Sequence, residues 1–224
     1  MKTLSSEPQM TAPKNMDPLL AQLLHYCKQT QAYERRPIQH PDQAINRLVS
    51  SNELPETSFR KAAVLIPIFY DLDASAVVLT LRTEHLSSHP GQVAFPGGKE
   101  DPGDAGPVHT ALRESEEEIG LPADAVRVVG RLGQLLMPSG YCVTPIIGLI
   151  SAKTPLVACP REVAHIFSFP LRLALDPSAY QRSRIVVQNS ERDTLEINHE
   201  GYRIWGATAA ILHHLACELQ SSQQ

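Results

Sequence analysis

Apolar positions recur at helical spacing in several parts of the chain. Spaced leucines predict an amphipathic helix over residues 17–31, and a shorter helix is expected around residues 44–49. Residues 107–119 are typical of a helix that opens with a proline, a residue type favoured in the first turn. Residues 207–219 predict a further helix that closes the domain.

Short apolar segments between the helices predict β-strands. We place strands at residues 62–70, 76–81, 93–95, 126–136 and 143–150, with a late group at 185–188, 195–198 and 202–205. Pro67 cannot donate a ladder hydrogen bond, which indicates an edge position or a bulge for the first strand. Pro96, Gly97 and Gly98 are expected to end the third strand. The apolar residues 163–169 are ambiguous.

Strands interleaved with helices favour an α/β fold in which helices cover both faces of a mixed sheet. We expect a flexible tail at residues 1–15, an N-terminal helical extension with its connector at 16–56, and the main domain at 57–219. The N-terminal helix could cap that domain or provide a homodimer contact, and the pattern leaves both alternatives open.

Composition and charge narrow the classes of function. The 224 residues are 42% hydrophobic and 20% charged, which is typical of a globular protein. A formal net charge of -4 gives no general reason to expect a nucleic-acid partner. We find no apolar run near the roughly 20 residues that span a membrane, and no apolar core of a secretory signal at the start. Four cysteines without a CxxC pair indicate reduced thiols in a cytoplasmic protein.

An acidic cluster lies at the end of the predicted helix at residues 107–119. In the run RESEEEIG, Glu114, Glu117 and Glu118 fall together on one side of the helix, apart from its apolar face. The C-terminal end of a helix carries the negative pole of its dipole, so carboxylates are unfavourable there. Like charges four positions apart add a repulsion of roughly 0.2–0.5 kcal/mol.

A bound cation would offset this repulsion, whereas the alternative is a solvated acidic surface. Mg²⁺ takes oxygen ligands and often bridges to substrate phosphates. The preceding loop, FPGGKEDPGDAG, is rich in Gly and Pro and can bend towards the same side of the helix. Because that side carries no histidine, a zinc site is disfavoured.

The acidic run and the loop before it resemble the Nudix box, G-x5-E-x7-R-E-U-x-E-E-x-G-U, where U is apolar. The second half matches at every charged position, with Ser115 at the first apolar site. The first half starts at Gly98 and then departs from the pattern. Its acid is Asp104, whereas the spacing back from Arg113 places the expected Glu at Ala105, so the loop is one residue longer.

A longer match points to one branch of this family. Residues 79–98, LTLRTEHLSSHPGQVAFPGG, resemble the motif that precedes the box in coenzyme A pyrophosphatases, whose box is similarly extended. Residues 140–141, 143–145 and 204–209 also resemble that branch. The similarity extends over roughly residues 60–215.

The resemblance implies an α/β/α sandwich with a mixed central sheet and a loop–helix–loop catalytic motif. It also implies an enzyme that uses Mg²⁺ or Mn²⁺ to hydrolyse the pyrophosphate of coenzyme A or its thioesters, giving adenosine 3',5'-bisphosphate and 4'-phosphopantetheine. The expected metal ligands are Glu114, Glu117 and Glu118. Arg113 is expected to orient a carboxylate through a bidentate bond.

A further acid from outside the helix is expected as a ligand or general base. Glu162, at the start of an apolar segment, is our candidate, so that the catalytic set comprises Arg113, Glu114, Glu117 and Glu162. Glu100 and Asp101 are alternatives that lie nearer in the sequence.

Six other residues are candidates for substrate contacts: Arg82, His89, Gln92, Phe95, Lys99 and Tyr141. The two cations would meet phosphates, while His89 and Gln92 would line the pocket. The two aromatic rings would stack on adenine or flank the pantetheine arm. Core packing is the alternative for Phe95, and a plain surface position is the alternative for either cation.

Two other functions remain open. A Nudix hydrolase acting on ADP-ribose, a dinucleotide or a nucleoside triphosphate would use the same carboxylates. A nucleotide-binding module without catalysis is a different class, but binding alone does not require Arg113 together with all three glutamates of the helix.

Overall fold

The computed structural model describes residues 16–30, 36–50, 59–71, 74–86, 88–187 and 190–222. The predicted tail at residues 1–15 lies outside these ranges, as does the last part of the predicted connector. Five α-helices occur in the described residues: α1 (Pro18–Thr30), α2 (Gln43–Ser50), α3 (Pro107–Ile119), α4 (Leu171–Ala174) and α5 (Gly206–Ser221). The four predicted helices are confirmed, and the short α4 is an addition.

Within the described ranges, eight strands form a mixed sheet and three more form a separate antiparallel sheet. The first eight strands are β1 (Arg60–Phe69), β2 (Ala76–Arg82), β3 (Val93–Ala94), β4 (Gly97–Lys99), β5 (Arg127–Arg131), β6 (Leu135–Met137), β7 (Tyr141–Ile150) and β8 (Val163–Pro170). The small sheet holds β9 (Gln181–Val187), β10 (Ser190–His199) and β11 (Tyr202–Trp205). Strands β1 and β7 run parallel at the centre of the large sheet, and its other pairs are antiparallel.

The first strand is central, so the edge position predicted from Pro67 is wrong. β1 pairs with β7 along its whole length, and on its other side with β4 at residues 62–64 and with β2 from Ile68. The backbone nitrogen of Leu65 faces this second side, where it donates to the carbonyl of Pro96 at 2.9 Å. Pro67 lies two residues further on and faces the same side. The missing donor therefore falls where β4 has ended and β2 has not begun.

The structure refines two other strand predictions. β3 ends at Ala94, before Pro96, as predicted, but Gly97 and Gly98 then form a further strand, β4, which pairs with β1 at Val64 and Ala63. The single strand predicted over residues 126–136 is two strands, β5 and β6, which pair in turn with successive parts of β7. The ambiguous segment at residues 163–169 is strand β8, which pairs with β2.

The large sheet has a hydrophobic core on each face. On one face, α3 packs over a cluster that includes Leu65, Ile146 and Ile150, all with no or almost no exposure. On the other face, α1, α4, α5 and the small sheet cover a larger cluster that contains Ile66 and Ile68. Successive buried residues of β1 thus point into opposite cores. The sheet is covered on both faces, which gives the α/β/α sandwich.

Helix α1 caps the larger core. Its side chains Leu20 and Leu23 are fully buried in that cluster, and the hydroxyl of Tyr26 donates to Glu218 of α5 at 3.3 Å. Because this apolar side is used inside the fold, capping accounts for the leucine pattern. In the described ranges of the chain, we find no helix long and apolar enough to span a bilayer.

Candidate active site

Helix α3 is anchored to the sheet by an apolar side and capped at its end by glycine. Ala111, Ser115 and Ile119 are fully buried. The hydroxyl of Ser115 donates to the carbonyl of Ala111 at 2.6 Å, so the polar residue at an apolar position is satisfied within the helix. Gly120 adopts the left-handed conformation with φ 63°, a C-cap that glycine accepts without strain.

The last carbonyls of α3 bind the segment that leads to Glu162. The backbone N–H of Val157 donates to Ile119 at 2.9 Å, and the N–H of Cys159 donates to Glu118 at 2.8 Å. These bonds satisfy acceptors that a helix leaves open at its C-terminus. They also bring Glu162, the residue directly before β8, to the acidic end of the helix.

Arg113 joins the helix to the preceding loop. Its Nε and Nη2 atoms both donate to the carboxylate of Asp104 at 3.0 Å, and Nη2 also donates to the carbonyl of Lys99 at 3.1 Å. This two-pronged geometry fixes the guanidinium plane. Asp104 is thus the orienting partner of Arg113, although it stands one position before the expected place in the pattern.

Asp104 collects further donors from the loop and the helix. It accepts from the backbone N–H of Asp101 and from the hydroxyl of Thr110, both at 2.9 Å, and lies 2.8 Å from Nδ1 of His109. Arg113 above all, together with these donors, holds the pKa of Asp104 well below its usual range. The carboxylate therefore stays ionised and ties the loop to the first turns of α3.

Glu118 is the most deeply placed carboxylate of the cluster, with 3% of its side chain exposed. One oxygen lies 3.4 Å from Nη1 of Arg82, and the other accepts the backbone N–H of Gly97 at 3.2 Å. Burial raises the pKa of Glu118 to about 7, and the charges of Glu162 and Glu114 add to this rise, while Arg82 and the N–H of Gly97 oppose it. The site thus holds a carboxylate that gives up its proton near neutrality.

Glu114 lies against the backbone of Gly98. A Cβ atom at Gly98 would come within 2.5 Å of this carboxylate, so only glycine leaves room for it. Glu114 also forms an ion pair with Arg113 at 2.9 Å. Burial raises the pKa of Glu114, and the negative charges of Glu117 and Glu162 add to the rise.

Glu117 is on the outer side of the same cluster. Its side chain is 59% exposed and lies 3.4 Å from Nη1 of Arg113. Glu162 directly precedes Val163, the ladder partner of Arg82, and Arg82 in turn contacts Glu118. The charge of Glu162 adds to the raised pKa values of Glu114 and Glu118. The fold therefore gathers the three predicted helix acids and the predicted outside acid in one region.

A model of the NUDIX domain family matches residues 59–187, more than half of the chain. The chain belongs to the Nudix family. Proteins described as uncharacterized Nudix hydrolase NudL, from Yersinia pestis (strain Pestoides F) and Yersinia pseudotuberculosis serotype O:3 (strain YPIII), are each 45% identical over 174 residues. Each match covers 78% of this chain and 86% of the relative. As a Nudix hydrolase, the protein acts on phosphorus anhydrides.

Solved structures of Nudix proteins are also similar to this chain. RenU, a Nudix hydrolase from M. smegmatis, has a TM-score of 0.49 and 22% identity, and the match covers 74% of this chain and 88% of RenU. The Nudix domain of Shewanella oneidensis NrtR, crystallised with ADP ribose, has a TM-score of 0.40 and 19% identity. That match covers 55% of this chain and 81% of the NrtR domain.

The Nudix carboxylates are paired with arginines. Across the described ranges, no three His, Cys, Asp or Glu side chains are gathered closely enough to hold a metal as they stand. Arg82 forms an ion pair with Glu118, and Arg113 forms ion pairs with Glu114 and Glu117. The donors nevertheless suit a hard divalent cation, since all are carboxylates and neighbouring negative charges add to the raised pKa values of Glu114 and Glu118.

The predicted phosphate-binding cations differ in their surroundings. Arg82 is 22% exposed, and its buried Nε finds no hydrogen-bond acceptor in the part of the chain that the structure describes. Lys99 is 69% exposed and lies 3.7 Å from a carboxylate oxygen of Asp101. Arg82 is therefore part of the carboxylate cluster, whereas Lys99 is at its solvent edge.

His89 and Gln92 lie together in the β2–β3 loop. Nδ1 of His89 is 3.0 Å from the side-chain oxygen of Gln92, and His89 has a positive φ of 56°. The carbonyl of Gln92 accepts the backbone N–H of Arg82 at 2.9 Å. This loop is thus tied to the strand end that carries Arg82.

The two predicted aromatic contacts are in different places. Phe95 is 4% exposed and belongs to the larger core, so a stacking surface for adenine is the wrong role for it. Tyr141 lies at the start of β7, where the guanidinium of Arg60 covers its ring at 4.1 Å from the centroid.

Sequence reasoning missed two contributors to the site. The backbone N–H of Gly97 supports Glu118, and the hydroxyl of Thr110 supports Asp104. A signal existed for Thr110, because residues three apart share a helix face and Thr110 precedes Arg113 by three positions. The role of the Gly97 backbone has no signal in side-chain patterns.

Proposed function

We propose that this Nudix hydrolase cleaves the pyrophosphate of coenzyme A or its thioesters, giving adenosine 3',5'-bisphosphate and 4'-phosphopantetheine or its acylated form. One observation carries the proposal. Arg82 and Gly97 both belong to the segment that resembles the coenzyme A pyrophosphatase motif, and both contact Glu118 of the Nudix helix. The segment that resembles the coenzyme A motif therefore contacts Glu118, one of the three proposed metal ligands.

Glu114, Glu117 and Glu118 would hold Mg²⁺ or Mn²⁺. The bound cation would neutralise charge on the pyrophosphate and raise the acidity of the attacking water. Glu162 would serve as a further ligand or as the general base, since its charge already acts on Glu114 and Glu118. Arg113 would position the loop through Asp104 rather than touch the reacting atoms.

Arg82 would bind a phosphate of the substrate. Its side chain is 22% exposed and lies at the carboxylate cluster. A phosphoryl oxygen that meets the exposed part of the guanidinium would accept a charge-assisted hydrogen bond from it. Lys99, on the exposed side of the cluster, would supply a second positive charge.

The proposal is tested with a panel of coenzyme A, 3'-dephospho-coenzyme A, ADP-ribose and a dinucleoside polyphosphate, each with Mg²⁺ or Mn²⁺. Products are identified by mass in ¹⁸O-labelled water. We expect coenzyme A to be cleaved at its pyrophosphate, with one solvent oxygen in one product and the 3'-phosphate intact. Much faster hydrolysis of ADP-ribose would reject the coenzyme A assignment and keep the Nudix chemistry. Release of inorganic phosphate alone would reject the proposed bond cleavage.

The same substrate panel, applied to an Arg82→Ala variant, tests which phosphate Arg82 binds. Arg82→Ala should lower kcat/KM for coenzyme A by roughly ten- to a hundredfold, the equivalent of about 1.5–3 kcal/mol for a hydrogen bond to a charged group. Equal losses on coenzyme A and 3'-dephospho-coenzyme A would assign Arg82 to the pyrophosphate. A loss confined to coenzyme A would assign it to the 3'-phosphate.

A further inference from the structure

Three aromatic rings from two different sheets lie parallel at the edge of the large sheet. The rings of Phe167 on β8 and Tyr202 on β11 stack with centroids 3.9 Å apart and planes 6° apart. The ring of His165 lies nearly parallel to both, 6.3 Å from Phe167 and 5.9 Å from Tyr202. The hydroxyl of Tyr202 is 2.5 Å from Nδ1 of His165. The imidazole ring therefore lies beside the tyrosine ring and widens the flat surface. We name these three residues the ring platform.

The ring platform is only partly explained by the core. Phe167 and Tyr202 pack against the larger core cluster, but both keep part of their surface exposed. His165 is exposed. Phe167 and His165 are the ring partners of Tyr202 in the described part of the chain, so its face away from Phe167 carries no ring there.

A β-bulge sets the direction of His165. The register of β8 against β2 shifts at this point, because Leu81 pairs with His165 while Arg82 pairs with Val163. Val163, before the bulge, consequently packs in the core under α3. After the bulge the odd-numbered residues of β8 face the other side of the sheet, so Phe167 packs against the larger core. The bulge lets one short segment serve both faces of the sheet.

The bulge also places the ring platform beside the carboxylate cluster. His165 is three residues from Glu162, a separation of about 10 Å or less along a strand. Its partner in the ladder, Leu81, directly precedes Arg82, the residue paired with Glu118. Arg82 and His165 therefore lie at the same end of β2, on opposite faces of the sheet edge, and a ligand that crosses this end meets both.

We propose that the ring platform is the subsite for the purine ring of the nucleoside diphosphate substrate. A purine is flat, and stacking on aromatic side chains is the interaction that suits it. The ribose of a nucleotide separates its base from its pyrophosphate, as the bulge separates the ring platform from Glu162 and Arg82. The inference deepens the proposed function, on which it rests for the identity of the substrate class.

The test compares ADP with inorganic pyrophosphate, which lacks the base, by calorimetry on the full chain. His165→Ala and Tyr202→Leu should each weaken ADP binding by about tenfold, because base stacking contributes strongly to nucleotide affinity, and should leave pyrophosphate binding unchanged. Tyr202→Phe is the matched control for the ring itself, since it keeps the stack and removes only the bond to His165. Unchanged ADP affinity in the first two variants, or equal losses for ADP and pyrophosphate, would overturn the proposal.

A measurement on the unaltered protein guards against a folding defect in the variants. The NMR signal of the His165 ring should shift upfield on addition of ADP and stay in place on addition of pyrophosphate. An unmoved signal at saturating ADP rejects the subsite. The two proposals fail independently. If the protein does not cleave coenzyme A in the substrate panel but ADP still shifts the His165 signal, the purine subsite stands and the coenzyme A assignment fails. If coenzyme A is cleaved but ADP leaves the His165 signal in place, the coenzyme A assignment stands and the subsite fails.

Discussion

The guanidinium of Arg82 lies 3.4 Å from the carboxylate of Glu118, although the two residues are 36 positions apart in the chain. The pair joins the end of β2 to the end of α3. Glu118 is almost completely enclosed, and the cation of Arg82 lowers its pKa against the effect of burial. This one contact links the segment that resembles a coenzyme A motif to the Nudix helix.

Arg82→Ala should destabilise the protein by about 3 kcal/mol at pH 8 without divalent cations, because loss of one partner leaves a buried charge uncompensated. The measurement is urea unfolding. Arg184→Ala removes an exposed arginine with two surface ion pairs and should change the unfolding free energy by less than about 1 kcal/mol. Combining Arg82→Ala with Glu118→Gln should restore much of the loss, and a purely additive double variant would contradict the pairing.

The raised pKa of Glu118 makes stability depend on pH. A carboxyl whose pKa rises from 4.5 to about 7 on folding favours the folded state fully below pH 4.5, and this contribution is lost as the pH rises through 7. Relative to Glu118→Gln, the metal-free protein should therefore lose about 3 kcal/mol of unfolding free energy between pH 4.5 and pH 8. Denaturant titrations at intervals of pH measure this difference. A difference that stays constant with pH would refute the raised pKa.

Glu117→Gln should weaken Mn²⁺ binding by about tenfold or more and slow turnover, because one charged donor is lost. Glu116→Gln is the matched control. Glu116 is the neighbouring glutamate of the same helix and is exposed, but it lies away from Glu114, Glu117 and Glu118. Calorimetric titration of both variants with Mn²⁺ separates a ligand from a general loss of negative charge. Equal effects of the two substitutions would remove Glu117 from the metal site.

Gly98→Ala should reduce turnover on the order of a hundredfold by displacing Glu114. The added Cβ would lie 2.5 Å from that carboxylate, while the φ of Gly98 lies outside the left-handed region, so the backbone itself tolerates alanine. Gly103→Ala, in the same loop, is the control, since its Cβ would meet nothing within 4 Å. Steady-state kinetics and thermal melting are compared for both. A fully active Gly98→Ala variant would show that the position of Glu114 is not critical.

The sequence alone determined the elements that depend on local patterns. The bounds of α3 were predicted at both ends, because Pro107 starts the helix, Gly120 ends it and the apolar period between them is regular. The Nudix resemblance also came from local spacing, and the family match over residues 59–187 confirms it. The placing of three glutamates on one side of α3 needed only the helical repeat.

Tertiary structure decided everything that depends on which segments meet. Pairing of β1 with β7 made Pro67 a central residue, and burial in the core removed Phe95 from the list of substrate contacts. Asp104 became the partner of Arg113 because the longer loop folds back on the helix. The ring platform joins residues 165 and 202 from separate sheets. Such contacts arise from long-range packing, and a pattern read along the chain carries no information about them.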